Sequence, residues 1–233
     1  NYPDARITLV IKPAAKSLLD NCPYIDRVLT FQLPPPASFT MLRWEYFCFR
    51  YARRYLWPER FDLAILPRFD FDMYHGSSLI FFSRASRRVA YSEHVSARRE
   101  VENANYNRFF TDVIPADGLI KHEVERNLDV IRYMKGAVQD NRLELWLDEN
   151  DRSTGKCVLG HLLAQNQSVI AIGIGAGGGR RIWPAARFAE LADMLAKRTG
   201  TKFVLIGGAA DQDAAKMICS RVEDVLDLTG RLT

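Results

Sequence analysis

The sequence of 233 residues has no long apolar segment, few cysteines and little net charge. No stretch approaches the roughly 18 to 20 consecutive apolar residues of a membrane-spanning helix, which excludes a transmembrane protein. The four cysteines form no Cys-x-x-Cys pair, so the pattern argues for a reducing compartment and predicts no metal site. A net charge of +4 excludes the strongly cationic chain of a nonspecific nucleic-acid binder, and no nucleic-acid partner is expected.

Short apolar runs alternate with amphipathic ones, a pattern typical of an α/β fold whose βα units build parallel sheets. Strands are predicted at residues 7–11, 27–31, 61–66, 88–91, 169–174, 202–206 and 225–228. Helices are predicted at residues 14–20, 39–57, 77–83, 121–134, 155–166, 184–199 and 211–222. The polar stretch between the fourth strand and the fourth helix, residues 92–117, is predicted to be a surface loop.

The composition changes at residues 148–154, where acidic and hydroxyl side chains indicate a linker and a helix cap. We therefore predict two domains, residues 1–148 and residues 149–233. The chain starts without a methionine and reaches an apolar run by residue 7, and it ends on a strand with no element to cover it. Both ends are therefore expected to be cut.

A glycine-rich loop, Gly173-Ile-Gly-Ala-Gly-Gly-Gly-Arg-Arg-Ile-Trp-Pro184, joins a predicted strand to a predicted helix. Glycines let a ligand approach the backbone, and the N–H groups at a helix N-terminus favour an anion. Arginine adds planar donors that suit phosphate. The pattern predicts a site for the diphosphate of a nucleotide, formed by Gly175, Ala176, Gly177, Gly178, Arg180 and Arg181.

Two other interpretations of this loop stay open. A dinucleotide-binding fingerprint fits poorly, because the loop of about nine residues is longer than the usual tight turn and the following strand ends in Ile206-Gly-Gly208, with no acid at its end to hold a ribose. No Gly-Lys-Ser/Thr follows, so a P-loop is excluded. The third interpretation is that the glycines form a flexible turn without a ligand.

The same loop, followed by Arg187-Phe-Ala-Glu-Leu-Ala192 and Phe203-Val-Leu-Ile-Gly-Gly208, resembles the donor half of glycosyltransferase family nine, the ADP-heptose:lipopolysaccharide heptosyltransferases. The likeness covers nearly the whole chain. Further similar segments follow in the same order: Tyr2-Pro-Asp-Ala-Arg-Ile-Thr-Leu-Val10, Cys22-Pro-Tyr-Ile-Asp-Arg-Val28, Phe61-Asp-Leu-Ala-Ile65, His122-Glu-Val-Glu-Arg-Asn-Leu128 and Leu228-Thr-Gly-Arg231.

The resemblance implies a GT-B fold, which consists of two Rossmann-like domains with parallel sheets. Residues 1–148 would form the acceptor-binding domain without its first strand. Residues 149–233 would form an incomplete domain that binds the nucleotide sugar. It implies an inverting transfer that needs no metal and no cofactor, from a nucleotide diphosphate sugar such as ADP-heptose to a lipopolysaccharide, another glycan or a lipid-linked acceptor. The implied location is the cytoplasm, with contact to the inner membrane surface. The alternatives are a GT-B enzyme that uses another sugar nucleotide and a noncatalytic nucleotide-sugar-binding module.

The resemblance also implies roles for single residues. Arg181 stands where the family has lysine, and Asp211 or Asp213 would face the ribose, although an acid in a first helical turn is often only a favourable partner of the helix dipole. The family's Gly-Asp…Thr-Pro loop and Asp-Thr-Gly…His motif are both absent from these residues. No catalytic base is therefore assigned, and this stretch alone is expected to be inactive.

Charged residues follow the strand predicted at residues 61–66, where open α/β sheets place ligand loops. We predict that they bind the acceptor, and the alternative is a capped, solvated loop. The candidates are Arg68, Asp70, Asp72 and His75.

The helix predicted at residues 39–57 carries aromatic residues and an arginine row formed by Arg43, Arg50 and Arg54, with Arg53 at its flank. Such a helix can lie in an anionic membrane interface, or it can pack on the sheet with its arginines in solvent. We favour the second interpretation. Two further arginine clusters could contact an acidic acceptor, but we interpret them likewise as surface charge: Arg84, Arg87 and Arg88, and Arg98 and Arg99.

Overall fold

The structure is a computed structural model that describes residues 4–34, 40–163, 168–177 and 181–232. The chain divides into two compact units, Asn1–Trp146 and Leu147–Thr233. Each unit is an α/β unit whose paired strands are all parallel, as predicted. Within the described residues, no helix combines the length and the apolar character needed to cross a membrane.

The first unit contains two parallel sheets, one of order β1-β2 and one of order β3-β4-β5. Its strands are β1 (Thr8–Ile11), β2 (Arg27–Thr30), β3 (Leu63–Leu66), β4 (Arg87–Tyr91) and β5 (Asp112–Ile114). Its α-helices are α1 (Thr40–Tyr51), α2 (Gly76–Phe82), α3 (Ala97–Glu102) and α4 (Glu123–Tyr133). The register pairs Leu9 with Val28, and Ala64 with Arg88.

The second unit contains one parallel sheet of order β6-β7-β8. Its elements are α5 (Glu149–Leu163), β6 (Val169–Gly173), α6 (Ala185–Thr199), β7 (Lys202–Ile206), α7 (Gln212–Cys219) and β8 (Val225–Asp227). Successive side chains of a strand point to opposite faces of the sheet. Phe203 and Leu205 of β7 accordingly pack in a cluster with α6 and α7, whereas Val204 packs with Leu162 of α5. Helices therefore cover both faces of β7, as a parallel sheet requires.

The prediction of a surface loop at residues 92–117 is wrong. This stretch contains a 3-10 turn at Glu93–Val95, the helix α3, a second 3-10 turn at Tyr106–Phe109 and the strand β5. The polar composition of this stretch suggested a loop, but some of its polar side chains cap short helices. The Ser92 hydroxyl accepts from the His94 N–H, and the Ser96 hydroxyl accepts from the Arg99 N–H.

Two other local predictions are corrected. The helix predicted at residues 14–20 is a pair of 3-10 turns, Pro13–Ala15 and Ser17–Leu19, since their N–H groups donate to the carbonyl three residues earlier, as from Lys16 to Pro13 at 3.1 Å and from Leu19 to Lys16 at 2.9 Å. Residues 148–154, predicted to be a linker and a helix cap, form a cap and the first turns of α5, so the helix begins at Glu149 and not at residue 155. A reciprocal cap starts that helix, because Asp148 accepts from the Asp151 N–H at 2.8 Å and Asp151 accepts from the Asp148 N–H at 3.1 Å.

The Arg99 side chain is 0% exposed, so the prediction that it is a surface charge is wrong. Its guanidinium donates to the carbonyls of Arg68 and Phe69, each at 2.7 Å, and to that of Tyr91 at 2.9 Å. It lies 4.2 Å from the centre of the Tyr106 ring, and burial lowers its pKa. Arg99 therefore ties the loop after β3 to the end of β4.

We predict that Arg99→Met lowers the free energy of unfolding by about 3 kcal/mol or more, because a side chain of similar size leaves three backbone carbonyls without their donor. Arg98→Met is the matched control, since Arg98 is exposed and its guanidinium rests 4.7 Å from the Phe71 ring. The control should change stability by about 0.5 kcal/mol or less. Urea unfolding followed by tryptophan fluorescence measures both, and equal losses in the two variants would contradict the buried clamp.

Candidate functional site

In the second unit, the loops that follow the three strands meet at one edge of the sheet. The Ile174 N–H donates to the Ile206 carbonyl at 3.0 Å, and the Gly230 N–H donates to the Gly207 carbonyl at 2.9 Å. Ligands of open parallel sheets bind outside the carboxyl ends of the strands. The glycine-rich loop predicted to bind a diphosphate lies at this edge.

Asp211 lies between two of these loops. Its carboxylate accepts from the Gly208 N–H at 2.8 Å, which caps the turn leading into α7. A Cβ at Gly175 would lie 2.3 Å from the Asp211 Oδ2 atom, and a Cβ at Gly207 would lie 2.9 Å from it. Both distances are shorter than any real carbon contact, so glycine is required at these positions to let the carboxylate lie against both loops.

Arg181 lies beside the exposed part of the same loop. A Cβ at Gly177 would be 3.1 Å from the Arg181 Nη2 atom, and the arginine side chain is exposed. The Trp183 ring packs edge-on against the Phe188 ring of α6, with centroids 4.7 Å apart, which anchors the segment between Arg181 and that helix. The Asp211 carboxylate and the Arg181 guanidinium therefore border the same glycine-rich loop.

The other residues predicted for this site divide into two groups. Gly175, Ala176 and Gly177 are exposed at the sheet edge, and Gly178 and Arg180 lie outside the described residues. Asp213 is not brought to the loops: its side chain is 96% exposed and pairs with the Lys216 ammonium of the same helix at 3.0 Å. Of the two candidate aspartates, the structure places Asp211 at the site.

Asp227 and Thr229 complete this edge and were not predicted. One Asp227 carboxylate oxygen accepts from the Thr229 N–H at 2.9 Å and from the Thr229 hydroxyl at 2.7 Å. Burial raises the pKa of Asp227 and the bonds from Thr229 lower it, with a net shift downward. This pair holds the loop after β8 against Gly207, since the Thr229 methyl group would be 3.2 Å from a Cβ there. The sequence feature that could have indicated these residues is the pair Thr229-Gly230, directly after the strand predicted at residues 225–228.

In the first unit, positive side chains meet at the carboxyl ends of β1 and β3. The Lys12 ammonium, directly after β1, lies 3.5 Å from the centre of the Tyr74 ring, and the Arg68 guanidinium lies 5.7 Å from the same ring. A hydrogen bond and the charge of Lys12 lower the pKa of Tyr74. Lys12 was missed by the sequence analysis, although its position immediately after a strand was a usable signal.

The two aspartates predicted for acceptor binding have different environments. Asp70 is exposed, and hydrogen bonds from the Phe71 N–H and the Ser96 hydroxyl, together with nearby arginines, lower its pKa. Asp72 is only 6% exposed, and its carboxylate accepts from the N–H groups of Gly76 at 3.1 Å and Ser77 at 2.8 Å. Asp72 therefore caps α2, whereas Asp70 remains available to a ligand.

His75 is oriented by a residue that the sequence analysis did not select. Its Nδ1 atom lies 3.4 Å from the Glu45 carboxylate, which also accepts from the Ser78 hydroxyl at 2.6 Å. The bond with His75 is the main cause that lowers the pKa of Glu45. Glu45 is the sole acid of the helix predicted at residues 39–57, and a single acid among basic and aromatic residues could have been selected as a candidate from the sequence.

The model of glycosyltransferase family 9 (heptosyltransferase) matches residues 53–233. The chain belongs to glycosyltransferase family 9. The match includes the loop after β3, the glycine-rich loop and Asp211. No curated protein matches the chain.

Two solved structures match the fold over nearly the whole chain. A glycosyltransferase family 9 protein from Veillonella parvula has a TM-score of 0.71 at 20% identity, and the match covers 97% of this chain and 61% of that one. The Escherichia coli heptosyltransferase WaaC with ADP has a TM-score of 0.65 at 14% identity, with 97% and 65% covered. The chain thus spans less than two thirds of either structure. The predicted α/β fold of GT-B type with parallel sheets is confirmed.

We predict that Gly175→Ala in this family 9 chain lowers the free energy of unfolding by about 1 to 3 kcal/mol, because the new methyl group must displace the Asp211 carboxylate. Gly173→Ala is the control, since a Cβ there meets nothing within 4 Å. Its effect should stay within about 1 kcal/mol. Urea unfolding followed by tryptophan fluorescence tests this, and the explanation fails if the two alanine variants are equally stable.

We predict that Asp72→Ala lowers the free energy of unfolding by about 1 to 2 kcal/mol, because two N–H groups at the start of α2 lose their acceptor. Asp70→Ala should cost about 0.5 kcal/mol or less, since its carboxylate is exposed. The helical circular dichroism signal during thermal unfolding distinguishes them. A larger loss for Asp70→Ala would contradict these assignments.

Proposed function

We propose that this chain belongs to a glycosyltransferase that moves a sugar, in the first place heptose, from a nucleotide diphosphate donor to a lipopolysaccharide or another glycan or lipid-linked acceptor. The observation that carries the proposal is that Asp211 lies against Gly175 and Arg181 lies beside Gly177 of one glycine-rich loop, at the carboxyl edge of β6-β7-β8. This arrangement suits a ligand that has hydroxyl groups at one end and phosphates at the other.

Each group has a chemical part in donor binding. Backbone N–H groups of Gly175, Ala176, Gly177 and Gly178, with the guanidinium groups of Arg180 and Arg181, would hold the diphosphate. Positive charge there would also stabilise the diphosphate as it leaves. The Asp211 carboxylate would accept hydrogen bonds from the ribose hydroxyls, as acids do at the comparable edge of dinucleotide-binding folds. The related WaaC structure contains ADP, which supports an adenine nucleotide as the donor group.

The acceptor would bind at the carboxyl edge of the first unit. Arg68 and His75 would meet its anionic or hydroxyl groups, Asp70 would accept from a sugar hydroxyl, and Asp72 would shape the loop as the cap of α2. We propose an inverting transfer without a metal ion, in which a base takes the proton of the acceptor hydroxyl. None of the described residues is assigned as that base. The proposed location is the cytoplasm, at the inner membrane surface.

We predict that Arg181→Ala weakens ADP binding about 10- to 100-fold, because a charged donor to phosphate is lost. Asp211→Asn should weaken it about tenfold, since the amide keeps the shape and an acceptor for the Gly208 N–H but loses the charge. Asp213→Asn is the matched control and should change the affinity less than about twofold, because that side chain is in solvent. Isothermal titration calorimetry of the chain with ADP measures all three.

The titration also separates the competing interpretations. A preference for UDP, GDP or CDP over ADP would replace the adenine donor by another sugar nucleotide. Binding without sugar transfer, in a protein extended to the length of its relatives, would favour a noncatalytic binding module. If neither the wild type nor any variant binds a nucleotide diphosphate or its sugar, the donor-site proposal is wrong.

A further inference from the structure

The helical segment at residues 40–59 has two distinct faces. It consists of α1, a π-helical turn at Ala52–Leu56 and a 3-10 turn at Trp57–Glu59. Its inward face is buried at Cys48, Ala52 and Leu56, and Cys48 packs in a cluster with Phe31, directly after β2, and Leu79 of α2. The predicted packing of this helix on the sheet therefore accounts for the buried residues of the inward face. It does not account for the residues of the opposite face.

The outward face is both basic and apolar. Leu42 is 84% exposed and Tyr46 is 60% exposed, although nothing in the packing of the unit requires an apolar side chain there. The spacing of four residues places both on one stripe of the helix with Arg50 and Arg54. We call this surface the arginine face; its members are Leu42, Arg43, Tyr46, Arg50, Arg53 and Arg54, all exposed.

No carboxylate neutralises the arginine face within the described residues. The segment has two acids, and both are turned elsewhere: Glu45 accepts from Ser78 and contacts His75, and Glu59 pairs with Arg27 of β2. The Arg50 guanidinium lies 5.8 Å from the Tyr46 ring, so the cation and the aromatic ring form one patch. The face thus presents four uncompensated positive charges next to exposed apolar side chains.

We propose that the arginine face docks this protein on an anionic lipid bilayer. Basic side chains attract the headgroups, while leucine and tyrosine side chains enter the boundary between headgroups and acyl chains. A polyanion such as nucleic acid would explain the arginines but not the exposed Leu42 side chain. The two sets of residues together therefore favour a membrane surface as the partner.

The docking surface deepens the proposed function: it rests on the proposed location at the inner membrane surface and names the residues that hold the protein there. Its residues are separate from the glycine-rich loop and from the loop after β3. Vesicle binding can therefore fail while nucleotide binding persists, and the reverse can also occur.

The experiment measures cosedimentation of the chain with phosphatidylcholine vesicles that contain or lack phosphatidylglycerol. We expect salt-sensitive binding that needs phosphatidylglycerol. Arg50→Gln/Arg54→Gln should weaken it about 25-fold, because each basic residue near an anionic surface contributes about fivefold. The matched control is Arg152→Gln/Lys156→Gln on α5, where two exposed basic residues are also four positions apart, and it should change binding less than about twofold.

A second variant tests the apolar part of the face. Leu42→Ser/Tyr46→Ser should still bind at low salt but dissociate at a lower salt concentration than the wild type, because the charges remain but nothing enters the bilayer. The proposal is overturned if the chain does not bind these vesicles, if binding does not depend on phosphatidylglycerol, or if the two glutamine double variants are equally weakened. Retention on single-stranded DNA without vesicle binding would also overturn it.

Discussion

The constraint on which the structure depends is that parallel strands end at the same edge of a sheet. Each strand then delivers its loop to one place, and helices must cover both faces. In the second unit this brings the loop after β6 against Asp211 of the loop after β7, and the loop after β8 against Gly207. Residues far apart in the sequence share that site because the strands before them share a direction. In the first unit, Lys12 and Arg68 follow strands of two different sheets and meet at the Tyr74 ring.

The two edges differ in how they carry charge. The edge of the second unit combines one carboxylate with one guanidinium on a loop of small residues, and the absence of a Cβ at Gly175 lets the carboxylate lie there. The edge of the first unit is positive at Lys12 and Arg68, and its acids serve partly as structure, since Asp72 caps a helix and Glu45 holds His75. This division suits one edge for a nucleotide and the other for an anionic or hydroxyl-rich acceptor.

The helical segment at residues 40–59 shows how packing separates two interpretations of one pattern. Its aromatic and basic residues were compatible with packing on the sheet or with a membrane interface. The structure buries Cys48 and Leu56 and leaves Leu42 and Tyr46 in solvent, so the inward face satisfies the first interpretation and the outward face remains available for the second. A periodic sequence can serve both purposes because a helix has two sides.

The sequence by itself determined the features that local chemistry decides. The apolar run of β7 and the glycine-rich loop before α6 could be recognised in the sequence, and they were sufficient to predict the α/β class and the loop that carries the proposed donor site. Tertiary structure decided which polar side chains became structural. Arg99 is buried because it meets carbonyls about 30 residues away, and Glu45 orients a histidine 30 residues later. Contacts at such separations depend on how strands and helices pack, which no local pattern records.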